Sequence, residues 1–224
     1  MLRLGAAYWL WVELMINDQM LDEVIEDSAD LLSIKDPRPR QRFRRKYLEQ
    51  IDVITTDGSV IGVTSRGLAH RLGLRHSVVY CLVSDPDDRM LVQERGEGGL
   101  DVSVGGHVQT GETDLVAALS REFCEELGMN PVISKFELIG IYNRDAPLSA
   151  AKPLDRTRER RHLYCYRLND EEHSRFYESF SKREEREDVA GFRWVSLKDI
   201  QSLISAGSCA DGLISVIDFL GRPK

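Results

Sequence analysis

The 224-residue chain has no Cys-x-x-Cys pair, and its four cysteines, Cys81, Cys124, Cys165 and Cys209, stand far apart. Without that pair there is no sequence signal for a zinc ribbon or a dithiol redox centre, and free thiols in a reducing, cytoplasmic compartment are expected. A run long enough to cross a bilayer is also missing. The apolar stretch from Leu2 to Ile16, which holds Trp9 and Trp11, is interrupted by Glu13, and a span needs ~20 apolar residues. Arg3 is the only early positive charge and no small-residue cleavage site follows, which argues against a signal peptide. A packing helix or an arm for a partner subunit is expected there, with Met15 or Met20 as alternative starts. Basic excess is lacking as well: 30 Lys and Arg against 37 Asp and Glu give a net charge of −7, which argues against general nucleic-acid coating.

A hydrophobic content of 42% and a charged content of 30% describe a globular chain with material for one packed domain plus extra elements. Residues 20–34 place Leu21, Val24, Ile25, Leu31 and Leu32 on one helical side, and Pro37 and Pro39 end that pattern. Six basic residues between Arg38 and Lys46 read best as a solvated linker. We therefore divide the chain into an N-terminal helical extension and basic linker, 1–49, and a main domain, 50–224.

Within the main domain, Ile51 to Thr55 and Val60 to Thr64 flank Asp57-Gly58 and predict two strands and a tight turn. A short helix over Gly67 to Leu72 follows, then strands over Val78 to Val83 and Met90 to Gln93. Further on, Phe136 to Tyr142 and Leu163 to Arg167 read as strands. The segment between them carries Arg144, Lys152, Arg156, Arg158, Arg160 and Arg161 and is expected to be a loop. Ser196-x-x-Asp199 predicts a capped helix through Ile204, and Leu213 to Leu220 a last one.

The chemistry concentrates between Gly105 and Met129. Glu122, Glu125 and Glu126 stand at i, i+3 and i+4, so their carboxylates share an arc roughly 100° wide on a helix. Like charges this close need a cation among them, and oxygen-only ligands suit Mg²⁺ or Mn²⁺. Val116, Leu119, Phe123 and Leu127 form the apolar stripe beside that arc. Thr113 is the expected N-cap and Gly128 the expected stop.

This run resembles the signature of the Nudix hydrolases: Gly, five residues, Glu, seven residues, then Arg-Glu-apolar-x-Glu-Glu-x-Gly-apolar. Gly106, Glu112, Arg121, Glu122, Phe123, Glu125, Glu126, Gly128 and Met129 fit it. One departure is visible, because eight residues separate Glu112 from Arg121. An extra helical residue turns everything upstream by about 100°, unless a π-bulge or the loop around Thr113 absorbs it.

The order of elements over about 50–205 further resembles the branch related to isopentenyl-diphosphate isomerase. That branch carries a catalytic Cys where this chain has Gly105, so isomerisation is disfavoured and hydrolysis favoured. His107 matches a metal-binding His of the isomerases.

The resemblance implies a mixed-sheet α/β fold, the Nudix α/β/α sandwich, with the N-terminal helical extension added. It implies hydrolysis of a diphosphate linkage in a nucleoside diphosphate derivative or related phosphorylated small molecule. Gly106, Glu122, Glu125 and Glu126 would hold Mg²⁺ or Mn²⁺, and Arg121 would position the glutamates. Glu126, Glu122 or Glu187 would act as base, with Asp188 second to Glu187. Glu112, His107, Arg144 and Arg160 are weaker candidates for substrate contact. A homodimer through the extension is a reasonable expectation. The alternatives are a nucleotide-binding regulator without turnover, an isomerase, and a scaffold that docks through its N-terminal arm.

Overall fold

The computed structural model describes residues 48–95, 99–147, 156–181 and 189–222. The expected N-terminal helical extension, the basic run before Lys46, Lys152, Glu187 and Asp188 all lie outside these residues.

The hairpin expected around Asp57-Gly58 is a two-stranded antiparallel sheet, β1 (Gln50–Ile54) with β2 (Val60–Ser65). Helix α1 (Arg66–Leu72) follows directly. Ser65 caps it by accepting from the Leu68 amide, and Gly73 closes it in the left-handed conformation. The remaining strands build one seven-stranded mixed sheet: β3 (His76–Ser84), β4 (Met90–Arg95), β5 (Leu100–Asp101), β6 (Val104–His107), β7 (Glu137–Pro147), β8 (Arg156–Arg167) and β9 (Val189–Val195). Its main path runs β5-β4-β3-β8-β7, with β6 on β3 and β9 on β4. Among the described strands only β3 and β8 pair in parallel, over nine registered pairs from His76–Glu159 to Ser84–Arg167.

Helices cover both faces. Along β3, side chains alternate between them: Val79, Cys81 and Val83 join a core with Leu119, Phe123 and Leu127 of α2 (Leu115–Leu127) and Phe176 of α3 (Asp170–Ser181). Leu82 joins the opposite core with Ile200 of α4 (Leu197–Ser205) and Leu213 and Val216 of α5 (Asp211–Leu220). This is the mixed α/β sandwich expected from sequence. The cap expected before α4 is present, with Ser196 accepting from the Asp199 amide. Cys81 is buried, the other three cysteines are half-buried, and all four are free. No helix among the described residues is long and apolar enough to cross a membrane.

Two expectations need correction. The cap of α2 is Asp114, which accepts from the Val116 and Ala117 amides, not Thr113. Both residue types cap well, and the extra residue before Arg121 moves the start of the helix along by one. The helix is α throughout, so the insertion is absorbed in the loop. The arginine-rich loop is also mostly strand. β7 and β8 pair from Glu137–Cys165 to Pro147–Arg156, so Arg144 lies on β7 and Arg156, Arg158, Arg160 and Arg161 on β8. Alternate residues of a strand face opposite ways, which separates charges that are adjacent in sequence.

Candidate functional site

On one face of β6, the Glu122 side chain lies directly against Gly106, where a β-carbon would overlap its carboxyl. Arg121 organises the surrounding acids. Its guanidinium donates to Glu122 Oε1 at 2.7 Å, to Glu112 Oε1 and Oε2 at 2.9 and 3.0 Å, and to the His107 carbonyl at 3.1 Å. Glu125 Oε2 stands 3.7 Å away. One guanidinium thus serves three carboxylates. Glu126 is held by neutral donors, the Gln93 amide at 2.7 Å and the Gly105 backbone N–H at 3.1 Å.

Burial pushes the Glu122 carboxyl up to about 7 against the pull of Arg121, and the Glu125 charge adds to the rise. Burial also opposes ionisation of Glu112, but Arg121 and the Gln109 amide hold its carboxyl below the ordinary range. The donor set is all oxygen, carries more acid than base around Arg121, and runs from buried Glu122 and Glu126 to partly exposed Glu125. It fits a hard divalent cation, with Glu122, Glu125, Glu126 and the Gly106 carbonyl as the groups to hold it.

On the opposite face of the same strand, three of the chain's five histidines converge. Ligand atoms of His70 (α1), His76 (β3), His107 (β6) and Glu159 (β8) all lie within 4.8 Å of one another. Among the described residues this is the one group of three or more His, Cys, Asp or Glu side chains that converges so closely. His70 Nδ1 lies 3.1 Å from the Arg156 carbonyl and His76 Nδ1 2.9 Å from the Leu74 carbonyl. A carbonyl can only accept, so both Nδ1 atoms carry the proton and it is Nε2 of each ring that is turned to the cluster.

His70 Nε2 lies 3.1 Å from His107 Nε2, within hydrogen-bond distance. His76 Nε2 is buried without a hydrogen-bond partner, 3.9 Å from Glu159 Oε1. Burial, reinforced by His70, pushes His76 down to about 4 despite Glu159, so its ring is neutral at pH 7. A dry set of imidazole lone pairs with one carboxylate matches a borderline transition ion such as zinc.

Glu159 is held from behind. Arg161, 2% exposed, donates to Glu159 Oε2 at 2.7 Å and to Asp211 at 3.1 Å, and also bonds Ser215 of α5. Its guanidinium lies 5.1 Å from the centre of the Tyr80 ring. That ring packs on Gly105, where a β-carbon would fall 2.6 Å from its carbons.

Of the residues expected from sequence, the structure gathers Gly106, Glu112, Arg121, Glu122, Glu125 and Glu126 on one face of β6. It places His107 with the other set. Arg144 and Arg160 do not come together. Arg144 pairs with Asp211, while Arg160, on the other face of the hairpin, donates to the Thr56 carbonyl at 2.7 Å. His70, His76 and Glu159 were missed as ligands, since they come from three separate elements.

A family model for the NUDIX domain matches residues 74–211. The chain belongs to the Nudix family. Among curated Nudix proteins, an uncharacterized Nudix hydrolase of Yersinia pestis is 39% identical over 88 residues, covering 37% of this chain and 48% of that protein. The uncharacterized Nudix hydrolase YfcD of Salmonella typhi is 38% identical over 95 residues, covering 40% and 51%. Nudix hydrolase 3 of Arabidopsis thaliana is 32% identical over 112 residues, 46% of this chain and 14% of that one. The chain thus spans about half the length of the bacterial Nudix relatives it matches. A crystal structure of DR0079 from Deinococcus radiodurans superposes with a TM-score of 0.54 at 21% identity, covering 78% of this chain and all of that one. At that identity the likeness shows the Nudix fold.

Proposed function

We propose that this Nudix chain is a metal-dependent hydrolase that cleaves a diphosphate linkage in a nucleoside diphosphate derivative or a related organic pyrophosphate. The observation that carries this reading is the acid excess on Gly106, where one guanidinium, Arg121, serves Glu112, Glu122 and Glu125. Mg²⁺ or Mn²⁺ bound there would neutralise phosphate oxygens and lower the pKa of a coordinated water. Gly106 lets the Glu122 carboxylate reach the strand, and Arg121 holds Glu112 and Glu122 in place. Glu126, fixed by Gln93 and the Gly105 amide, and Glu122 are the described groups able to accept a proton from an attacking water; Glu187 is the third candidate. The histidine set would hold a second, softer ion on the far side of β6. Residues 50–224 form the catalytic unit in this reading.

An isomerase reading is opposed by Tyr80, whose ring fills the space a Cys side chain at position 105 would need. A regulator without turnover loses its main support, since the inserted residue is absorbed before α2 and leaves Glu112 on Arg121.

The test is product release from a panel of nucleoside diphosphate derivatives, dinucleoside polyphosphates and nucleoside triphosphates with Mg²⁺ or Mn²⁺. Turnover should fall at least about 100-fold, roughly 3 kcal/mol, in both Glu125→Gln and Glu126→Gln. Nucleotide binding with no turnover in the wild type would sink the hydrolase reading and leave the regulator.

A further inference from the structure

At the far end of β8, four guanidiniums gather with one carboxylate between them. Arg156 and Arg158 both donate to Asp145, at 2.5 and 3.0 Å. The other acceptors are neutral: Arg158 also bonds the Gly73 carbonyl at 3.3 Å, Arg160 the Thr56 carbonyl at 2.7 Å, and Arg75 the Asn143 side-chain oxygen at 3.1 Å and the Glu159 carbonyl at 3.5 Å. Neither Arg75 nor Arg160 has an ion pair among the described residues. Asp57, on the turn beside Arg160, is engaged with Thr55 and Ser59. Carbonyl acceptors orient a guanidinium without neutralising it, so the cluster is ordered and still strongly positive.

One further observation agrees. Burial lowers the affinity of Arg75 for its proton, and Arg158 and then Arg160 add to this against Asp145, which sets the three guanidiniums in one positive field.

We infer that Arg75, Arg156, Arg158 and Arg160 form a binding site for a phosphate-bearing anion, with a pyrophosphate group as the matching class. Planar forks presented from neighbouring strands suit the paired oxygens of such a group. The site is separate from the glutamates. Gly106 on β6 pairs with Val79 of β3, while Arg160 pairs with Ser77 from β8 on the other side of β3, so the cluster starts about 7 Å along the strands and two strands across from Gly106 and runs on to Arg75, about 13 Å along. The ligand is therefore either the remote phosphate of an elongated substrate or an independent phosphate compound.

Calorimetric titration of inorganic pyrophosphate into the full chain, in chelator and at low salt, tests this without relying on the hydrolase reading. Wild type should bind, Arg158→Gln should bind at least about tenfold more weakly, and Arg75→Gln/Arg158→Gln more weakly still. Glu122→Gln should bind like wild type. Thermal melts check folding, and Arg160→Gln carries the test if an Arg158 variant does not fold. Absence of binding by wild type, equal binding by the arginine variants, or loss in Glu122→Gln would overturn the inference. A second arm does rest on the hydrolase reading: pyrophosphate that competes with a turned-over substrate marks the site as that substrate's remote subsite. Binding without competition marks an independent ligand.

Discussion

The two faces of β6 carry opposite chemistry one residue apart. Gly106 faces carboxylates gathered on Arg121, from buried Glu122 and Glu126 to partly exposed Glu112 and Glu125. His107 faces imidazoles packed in the core beside Glu159, which Arg161 backs. In both places an arginine holds a glutamate, but Arg121 is a quarter exposed and Arg161 is 2% exposed. The same pairing therefore does different work: on the wet face it sets carboxylates where a hard ion can reach them, and on the dry face it is part of the core.

That contrast predicts its largest effect on stability. Arg161→Met leaves the buried Glu159 carboxylate without its guanidinium and should cost about 3–5 kcal/mol in urea denaturation. Adding Glu159→Leu should recover much of the loss, because the unpaired charge goes with it. Arg121→Met should cost less, about 1–2 kcal/mol, since water reaches Glu112 and Glu125 and burial already favours the protonated form of Glu122. Equal costs for the two single variants would erase the distinction between the faces.

The second effect should be on activity. Gly106→Ala places a methyl where the Glu122 carboxyl lies and must displace it. Metal-dependent turnover should fall by about 100-fold or more, while cobalt binding by the histidine set, read from its visible absorption, should survive. His76→Ala should do the reverse to the cobalt signal. If Gly106→Ala also abolished cobalt binding, the two sets would be one site.

How much of this was readable in the sequence follows from how many elements each feature uses. Glu122, Glu125 and Glu126 share one helix, so their i, i+3, i+4 spacing alone places them together, and Leu119, Phe123 and Leu127 are all buried as the same periodicity requires. The histidine set draws one ligand from each of α1, β3, β6 and β8, and no local spacing encodes that. Arg156 to Arg161 misled for a different reason. Their charge density masks a period of two, in which Thr157, Glu159 and Arg161 are buried and Arg156 and Arg158 exposed. The partners that make burial of Arg161 tolerable, Asp211 and Ser215, lie 50 and 54 residues away. Thr113 and Asp114 are adjacent residues that can both cap, Asp the better of the two, and Asp114 takes the place.

The smallest predicted effect uses the two buried imidazoles whose pKa values burial pushes down to about 4, His76 on the dry face and His162 on the α2 side of the sheet. For His162, Arg160 adds to the effect of burial. Because the folded value lies below the unfolded value of about 6.5, the unfolded chain binds more protons between pH 6.5 and 4. Each ring's contribution to stability is therefore complete above pH 6.5 and is lost as pH falls toward 4. The loss should amount to at most about 3 kcal/mol per group. His162→Gln should flatten part of that acid decline in denaturation curves taken from pH 7 to 4.5, with or without added cobalt. Cobalt should add acid stability through His76 in wild type and in the His162→Gln variant alike. A His162→Gln variant with the wild-type acid slope would show that the buried ring carries no proton-linked cost, and that the positive field of Arg160 is neutralised before it reaches that ring.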